Sequence, residues 1–416
     1  MIRLNEAIDR VLETVRPLGA ERVALLDALG RAAAADLVSP EDVPSFDNSA
    51  MDGFAVSGAD LAADADAGGR RPLEFAVVDE IPAGHTAARP LARGEAARIM
   101  TGAPLPDGTD TVVQVEHTSE RDGRVTIERA PEPGSNVRRA GEDARRGDVV
   151  LPAGAPIGPA EVGLLASLGV EELAVARRPR VAILATGSER VPLGEPLGPG
   201  QIHNSNSFTA YGQVAAAGGE PVLLGIARDD PDETRRLIAR ALDEDVVITS
   251  GGVSVGDFDF VKQVQDELGV ERVFWGVASK PGKPMAFGRR GDHLVFGVPG
   301  NPVAAMVSFE LYVRPALLSL QGRRDLWRPW VWAAATEPVR GTRDRVEARR
   351  CVLERDGDGG WRFGTTGPQG SGILRSMVLA DGLVFVPSGY DGGPAGERLV
   401  VMLLQGSRPE RPPFPD

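Results

Sequence analysis

Apolar positions change their spacing several times along the chain, and each change marks a different kind of element. In residues 4–15 they fall at Leu4, Ala7, Ile8, Val11, Leu12 and Val15, one continuous face of a helix that docks on a larger body. From about residue 46 to 146 short alternating runs take over. Leu73-Glu74-Phe75-Ala76-Val77-Val78 and Val112-Val113-Gln114-Val115-Glu116 read as strands. Arg121-Asp122-Gly123-Arg124 reads as a hairpin turn between Val115 and Val125-Thr126-Ile127, because Asp and Gly tolerate positive φ. Helical spacing returns over residues 158–169, ahead of a short linker at Arg177-Arg178-Pro179.

From 181 to 322 strand-like and helix-like runs alternate. Residues 181–184, 222–224 and 246–248 are compact apolar runs, whereas 207–217 and 258–268 carry helical spacing. Asp230-Pro231-Asp232-Glu233 opens another helix, with Asp230 as N-cap, Pro231 in the first turn and Glu233 placed to bond back. This alternation predicts a parallel sheet covered by helices, whose ligands sit beyond the carboxyl ends of the strands. Short strands with glycine turns at 346–353, 382–386 and 398–404 then predict a small β-barrel or sandwich. The expected fold is a multidomain α/β protein. A helical N-terminal segment, discontinuous over 1–45 and 147–176, carries an inserted β-rich lobe at 46–146; an α/β sheet domain follows at 177–326, and a β-barrel domain at 327–416. The Pro-rich tail after Gly406 is expected to be disordered.

Composition narrows the function classes. At 416 residues and 42% hydrophobic the chain can build real cores, and about 150 residues per domain suggests two to four domains. No apolar run reaches the roughly 20 residues that span a membrane. Met1-Ile2-Arg3-Leu4-Asn5-Glu6 lacks a signal peptide's apolar stretch, so the cytoplasm is the expected location. A net charge of -13 without a basic stripe disfavours nucleic acid, and an anionic ligand would need a local basic pocket. A single cysteine, Cys351, rules out an internal disulfide and is most simply a core residue. His85, His117, His203 and His293 are scattered without metal-ligand spacing. A soft metal handled by this protein must therefore take its sulfur from the substrate.

The candidate chemistry lies at the strand ends. Thr249-Ser250-Gly251-Gly252-Val253-Ser254-Val255-Gly256-Asp257 follows a strand and precedes a helix, so its backbone N–H groups favour a phosphate or another anion. Lys280-Pro281-Gly282-Lys283-Pro284 holds two ammonium groups on a stiff turn. Val298-Pro299-Gly300-Asn301-Pro302 ends another strand, with Asn301 as N-cap and Pro302 at the first helical position. Thr186-Gly187-Ser188-Glu189 and Asp229 lie at the same end of the sheet. Singly these segments are a tight turn, a solvated loop and a helix cap; their company is what points to a ligand site.

Together the glycine loop, the lysine turn and the Pro-Gly-Asn segment resemble the molybdopterin-binding domain shared by molybdopterin adenylyltransferases and molybdenum-inserting enzymes. Upstream lie Asp47-Asn48-Ser49-Ala50-Met51-Asp52-Gly53-Phe54-Ala55, Ile99-Met100-Thr101-Gly102-Ala103-Pro104-Leu105-Pro106 and Arg138-Arg139-Ala140-Gly141-Glu142-Asp143. In this order they are similar to the molybdopterin molybdenumtransferase family, called MoeA in bacteria and the gephyrin E domain in animals, over nearly the whole chain.

The resemblance implies a reaction in which adenylylated molybdopterin, the product of an upstream molybdopterin adenylyltransferase, receives molybdate at its dithiolene. The phosphoanhydride is hydrolysed with Mg²⁺ assisting, and AMP and molybdenum cofactor leave. It implies Asp52, Glu189 and Asp259 as the catalytic carboxylates, with Glu189 and Asp259 handling the metal. It implies substrate contacts at Thr101, Asp143, Asp229, Ser250, Gly251, Gly252, Ser254, Lys280, Lys283, Pro299, Gly300 and Asn301, and molybdate contacts at Arg350 and Ser371. A homodimer with a site shared between chains is implied too. One departure is Ala304, where many relatives carry a serine, so one hydroxyl donor to the oxyanion is missing. Three other readings stand beside this one. An adenylyltransferase would leave the upstream motifs and the barrel unexplained. A non-catalytic scaffold, as the gephyrin E domain also is, would not need Asp52, Glu189, Asp259, Lys280 and Lys283, all of which are present. A tungstate-inserting paralogue is not separated by anything in the sequence.

Overall fold

A computed structural model describes residues 1–66, 73–228, 230–251, 260–406 and 410–415. Contacts divide the chain into two units: Met1–Ala35 with Ala153–Gly158 and Glu172–Asp416, and Asp36–Pro152 with Pro159–Glu171. The segment expected as a discontinuous N-terminal domain is thus divided between the two.

The smaller unit is built on a six-stranded sheet in the order Thr111–Gln114, Gly53–Val56, Glu95–Ile99, Leu73–Ile81, Arg124–Ile127, Thr118–Arg121. Strand alternation separates its two cores. Phe54, Val56, Phe75, Val113 and Val125 pack on one face, and Ala55, Ile81, Ala97, Ile99 and Val112 on the other. The hairpin turn is where the Asp-Gly pair places it, with φ 54° at Asp122 and 74° at Gly123 joining Thr118–Arg121 to Arg124–Ile127. Helix Pro159–Ser167 supplies the helical spacing read over 158–169.

In the larger unit the alternating pattern becomes a second six-stranded sheet. Its order is Glu220–Ala227, Arg180–Thr186, Val246–Ser250, His293–Val298, Ala286–Arg290, Glu271–Trp275. The first four strands are parallel; Ala286–Arg290 runs antiparallel to them, and Glu271–Trp275 antiparallel to Ala286–Arg290. Val181, Ile183, Val246, Ile248 and Phe296 face one core, shared with helix Ser205–Ala216, helix Leu4–Thr14 and the helical stretch that begins at Pro302. Ala182, Leu184, Val247 and Val295 face the other, under helices Pro231–Ala241 and Phe260–Glu267. The docking face of the first helix is buried as its spacing requires.

Strands Trp330–Ala335, Trp361–Thr365, Val346–Arg355, Gly382–Val386 and Arg398–Leu403 close into a five-stranded barrel, because the first and last pair with each other. The long Val346–Arg355 strand also takes Ser279–Lys280 as a short parallel neighbour, tying the lysine turn to the barrel.

Two local expectations are corrected. Glu233 does bond back, but to the N–H of Arg228 (3.3 Å) rather than of Asp230, whose own carboxylate caps Asp232 and Glu233. The Pro-rich tail is not loose over 410–415. Phe414 is buried against Phe385, and Arg411 pairs with Asp9 (2.6 Å) and Asn5 (2.7 Å). Residues Pro302–Leu320 are long and apolar enough to cross a membrane, yet 89% of that window is buried inside the protein, which makes it a core helix.

Candidate active site

The sheet of the larger unit reverses its winding between Arg180–Thr186 and Val246–Ser250, since the chain goes first to one side of Arg180–Thr186 and then to the other. A crevice forms outside the carboxyl ends at such a point. Here the ends of three strands are locked together. Gly251 donates its N–H to Val298 O (3.2 Å), and Thr186 Oγ1 donates to Ser250 O (3.3 Å). Asn206, from the helix behind, donates through Nδ2 to Ser250 Oγ (2.6 Å) and Gly300 O (2.8 Å). Gly251 has φ +92°, and a Cβ there would come within 2.8 Å of Thr186 Oγ1, so only glycine lets these loops approach. Ser250 is buried, its hydroxyl committed to Asn206.

Beyond the strand ends opens a cleft of about 620 Å³. It brings together Glu189, Lys280, Lys283, Pro299, Gly300, Asn301, Arg350 and Ser371 from the sheet, the lysine turn and the barrel. Asn301 occupies the N-cap position without capping; its side chain makes no hydrogen bond to the helix, which corrects the expected cap. Six basic side chains line the cleft (Arg190, Lys280, Lys283, Arg345, Arg349, Arg350) against two carboxylates, Glu189 and Glu347. A local basic pocket thus exists in an acidic protein.

Arg350 is fully buried. Its Nε donates to Ser376 Oγ (2.9 Å) and its Nη2 to Gly370 O (3.0 Å). Burial alone holds its pKa below the ordinary arginine value, with no carboxylate to offset it. Gln369 grips the backbone of the same residue, accepting from Arg350 N–H (2.9 Å) and donating to Arg350 O (3.2 Å), which brings the 367–371 loop and Ser371 alongside. Glu347, also buried, accepts from Arg349 Nε (2.9 Å) and lies 3.6 Å from Lys280 Nζ. Burial pushes its carboxyl up, but the Arg349 hydrogen bond and the nearby charges outweigh that and hold it below the usual range.

Within the smaller unit the three upstream motifs converge. Asp47 accepts from Ala140 N–H (2.8 Å) and Arg139 Nη1 (2.6 Å), while Leu105 N–H donates to Asp47 O (2.9 Å) and Gly102 N–H to Ser49 O (2.8 Å). Asp52 and Thr101 form one polar pair, Asp52 Oδ1 accepting from Thr101 N–H (2.7 Å) and Oγ1 (2.8 Å). Those two hydrogen bonds hold the Asp52 carboxyl below its ordinary pKa. Asp143 is exposed on the third motif. Asp229, Gly252, Ser254 and Asp259 lie outside the described residues.

Family models cover most of the chain in succession. The MoeA N-terminal region (domain I and II) matches residues 2–169, a probable molybdopterin binding domain 182–319, and the MoeA C-terminal region (domain IV) 333–404. A molybdopterin molybdenumtransferase of Haemophilus influenzae is 38% identical over 406 residues, 96% of this chain and 98% of that protein. The chain belongs to the MoeA family. Another relative, the molybdopterin molybdenumtransferase of Bacillus subtilis, is 35% identical over 409 residues, covering 97% of this chain and 94% of its own. A solved structure of the molybdopterin biosynthesis MoeA protein from Pyrococcus horikoshii superposes with a TM-score of 0.80 at 33% identity, covering 98% of this chain and 100% of that one.

In this MoeA-family protein the sequence pattern missed Arg190, Asn206, Glu347, Arg349 and Gln369. Gln369 and Arg349 adjoin residues already singled out; Asn206 and Glu347 carried no local signal, since their partners are remote in sequence. Among the described residues no group of three His, Cys, Asp or Glu side chains could cage a metal ion. The half-exposed Glu189 at the cleft fits a magnesium ion better than a caged metal, because Mg²⁺ takes one or two carboxylates and fills its shell with phosphate oxygens and water. Cys351 is fully buried in the barrel core, its thiol pushed by burial to about 12, so it stays protonated and is no metal ligand.

Proposed function

We propose that this protein is a molybdopterin molybdenumtransferase, a transferase that inserts molybdenum into molybdopterin. The observation that carries the reading is the basic cleft at the winding reversal of a molybdopterin-binding sheet, closed on its far side by the barrel's buried Arg350. The substrate is adenylylated molybdopterin, delivered by an upstream molybdopterin adenylyltransferase, and the oxyanion is molybdate. Arg350 and Ser371 bind the dianion, while Lys280, Lys283 and the backbone after Ser250 neutralise the phosphoanhydride. Glu189 and Asp259 would hold Mg²⁺, which supplies charge neutralisation on the phosphate oxygens. Asp52, poised as an anion by Thr101, faces the substrate from the smaller unit of a partner chain in a cytoplasmic homodimer. Asp143 and Thr101 belong to that same contribution, and Asp229 accepts from the pterin's N–H donors. The four-part division at 1–45 with 147–176, 46–146, 177–326 and 327–416 serves this arrangement: a linking part, a lobe reaching the partner, a binding sheet and an oxyanion-closing barrel.

Incubating the purified protein with adenylylated molybdopterin and either molybdate or tungstate tests the reading. AMP release that depends on molybdate, with formation of active cofactor, is the expected result. Coupling of added ATP to molybdopterin with release of pyrophosphate instead would make it an adenylyltransferase. Preference for tungstate would change the metal, and silence with both oxyanions would leave a scaffold.

A further inference from the structure

Arg190 is one residue on from Glu189 and is more deeply placed. Its side chain is 6% exposed, whereas that of Glu189 is 47% exposed. Nε donates to Thr186 O (2.8 Å) and lies 3.4 Å from Glu189 Oε1. That anchors the stem of the guanidinium and leaves its two terminal nitrogens without an acceptor among the described residues. Nη2 lies 3.4 Å from where a Cβ on Gly300 would stand and 3.7 Å from one on Gly251. Two loops therefore come close to the same terminal nitrogen at glycines. Arg190 also borders two cavities, the basic cleft and a second space of about 460 Å³. The second space has an apolar wall of Leu193, Phe208, Leu223 and Ile226, and three of these, Leu193, Phe208 and Leu223, are about half exposed.

A buried guanidinium costs desolvation that a carboxylate usually offsets with a two-pronged contact. Among the described residues the only carboxylate within ion-pair distance, Glu189, approaches the stem and leaves the fork open. A phosphate group matches that fork in shape and charge. A flat ring matches the neighbouring apolar wall, since binding pockets combine apolar lining with a few placed polar groups.

We propose that Arg190 is a ligand-contacting residue that grips a phosphate group with its terminal nitrogens, and that the ligand spans both cavities with its heterocyclic ring against Phe208 and Leu223. The proposal rests on the anion-cleft reading of the preceding section, and assigns the ring compartment and the phosphate clamp that it left open.

Inorganic pyrophosphate and AMP are the probes, with molybdate as a control, each titrated calorimetrically into the full-length protein. Arg190→Lys keeps the charge and loses the fork, so it should weaken pyrophosphate and AMP on the order of tenfold to a hundredfold and leave molybdate unchanged. Phe208→Ala should weaken AMP and spare pyrophosphate. The proposal is overturned if Arg190→Lys binds both probes as the wild type does, if it loses molybdate in equal measure, or if the wild type binds no pyrophosphate. Should the lysine variant fail to fold, the wild type decides: pyrophosphate must shield Arg190 from phenylglyoxal, and unimpeded labelling overturns the clamp. Failure of the broader reading looks different, since molybdate would then not bind the wild type, or would bind it regardless of Arg350.

Discussion

Replacing Arg350 by methionine separates binding from folding. The side chain is wholly buried, and burial alone depresses its pKa, so in the free protein its charge is an unfavourable inclusion. Methionine is shorter but of similar volume, and it has no charge to desolvate. Removing an uncompensated buried charge should return about 1–3 kcal/mol. Against this stand two lost hydrogen bonds, to Ser376 Oγ and Gly370 O, each contributing roughly 0.5–1.5 kcal/mol net. Ser376 Oγ keeps its bond to Ile373 O (2.6 Å), so no orphaned hydroxyl is created. The two effects nearly cancel, and Arg350→Met should unfold within about 2 kcal/mol of the wild type in urea. Oxyanion binding should not survive as well. Two charge-assisted hydrogen bonds to a dianion at roughly 1.5–3 kcal/mol each amount to a loss of at least about a hundredfold in molybdate affinity. Arg350→Lys should fall between, keeping charge without the planar fork. Calorimetric titration with molybdate beside a urea transition reads both quantities. Unchanged molybdate affinity in Arg350→Met would refute the assignment; so would a loss of stability above about 3 kcal/mol that binding merely follows.

Other consequences are as specific. Lys283→Ala should bind adenylylated molybdopterin about tenfold to a hundredfold more weakly, whereas Cys351→Ala should lose about 1 kcal/mol of stability and insert metal normally; a cysteine variant that binds but fails to insert metal contradicts the buried, protonated thiol. Asp259→Ala should keep its melting temperature and lose most AMP release, and unchanged turnover would reduce it to a helix-terminus charge worth about 0.3–1 kcal/mol. If the site is shared, mixing inactive Asp52→Asn and Asp259→Ala dimers should restore about a quarter of wild-type activity after random exchange, and a fully active monomer in sedimentation would sink the shared site. At Asp245, burial pushes the carboxyl up, but the Arg177 fork (2.7 and 2.9 Å) and the Arg180 N–H outweigh it and hold it low. A depressed acid contributes stability above its unfolded pKa and loses it as pH falls through the folded value. Asp245→Asn should therefore cost roughly 1.5–3 kcal/mol at pH 7, and the difference should shrink in acid as pH falls through the depressed folded-state pKa; a cost independent of pH would deny the ion pair.

What the sequence made legible is what local period and local chemistry decide. Val181, Ala182, Ile183 and Leu184 could be read as one buried strand because both faces of a parallel sheet are covered, and the two cores they enter are both present. Asp122-Gly123 announced its turn because the required φ values are affordable to few other pairs. The choice between barrel and sandwich was not legible. It depends on Val346–Arg355 pairing with Trp361–Thr365 on one side and Gly382–Val386 on the other, and a strand's pattern does not name its partners. Asn301 misled for a related reason: its place at the N-cap is local, but its side chain is free to face the cleft. The tail misled because composition predicts solvation, while Trp327, Phe385 and Asp9 decide where Arg411 and Phe414 go.

An acidic chain that gathers six cations in one cleft must keep them from repelling one another before the ligand arrives. Distance does part of this, since Lys280 and Lys283 stand exposed on a turn while Arg350 is sunk in the barrel wall. Glu347 does the rest. It lies on the barrel strand directly opposite Lys280 in the parallel ladder, bonds Arg349 with one oxygen, and has the other 3.6 Å from the Lys280 ammonium. Two of the six cations are thereby satisfied by Glu347, Arg190 meets Glu189 through its Nε alone (3.4 Å), and Arg350 and Lys283 have no carboxylate partner among the described residues. A simple dianion thus meets a cleft whose net attraction is tempered by a resident carboxylate and screened at its exposed rim. A ligand with several phosphate oxygens and an oxyanion beside it gains from the unsatisfied cations all at once. The charge arrangement therefore favours a polyanionic ligand over scattered small ions, and it does so through residues drawn from both the sheet and the barrel.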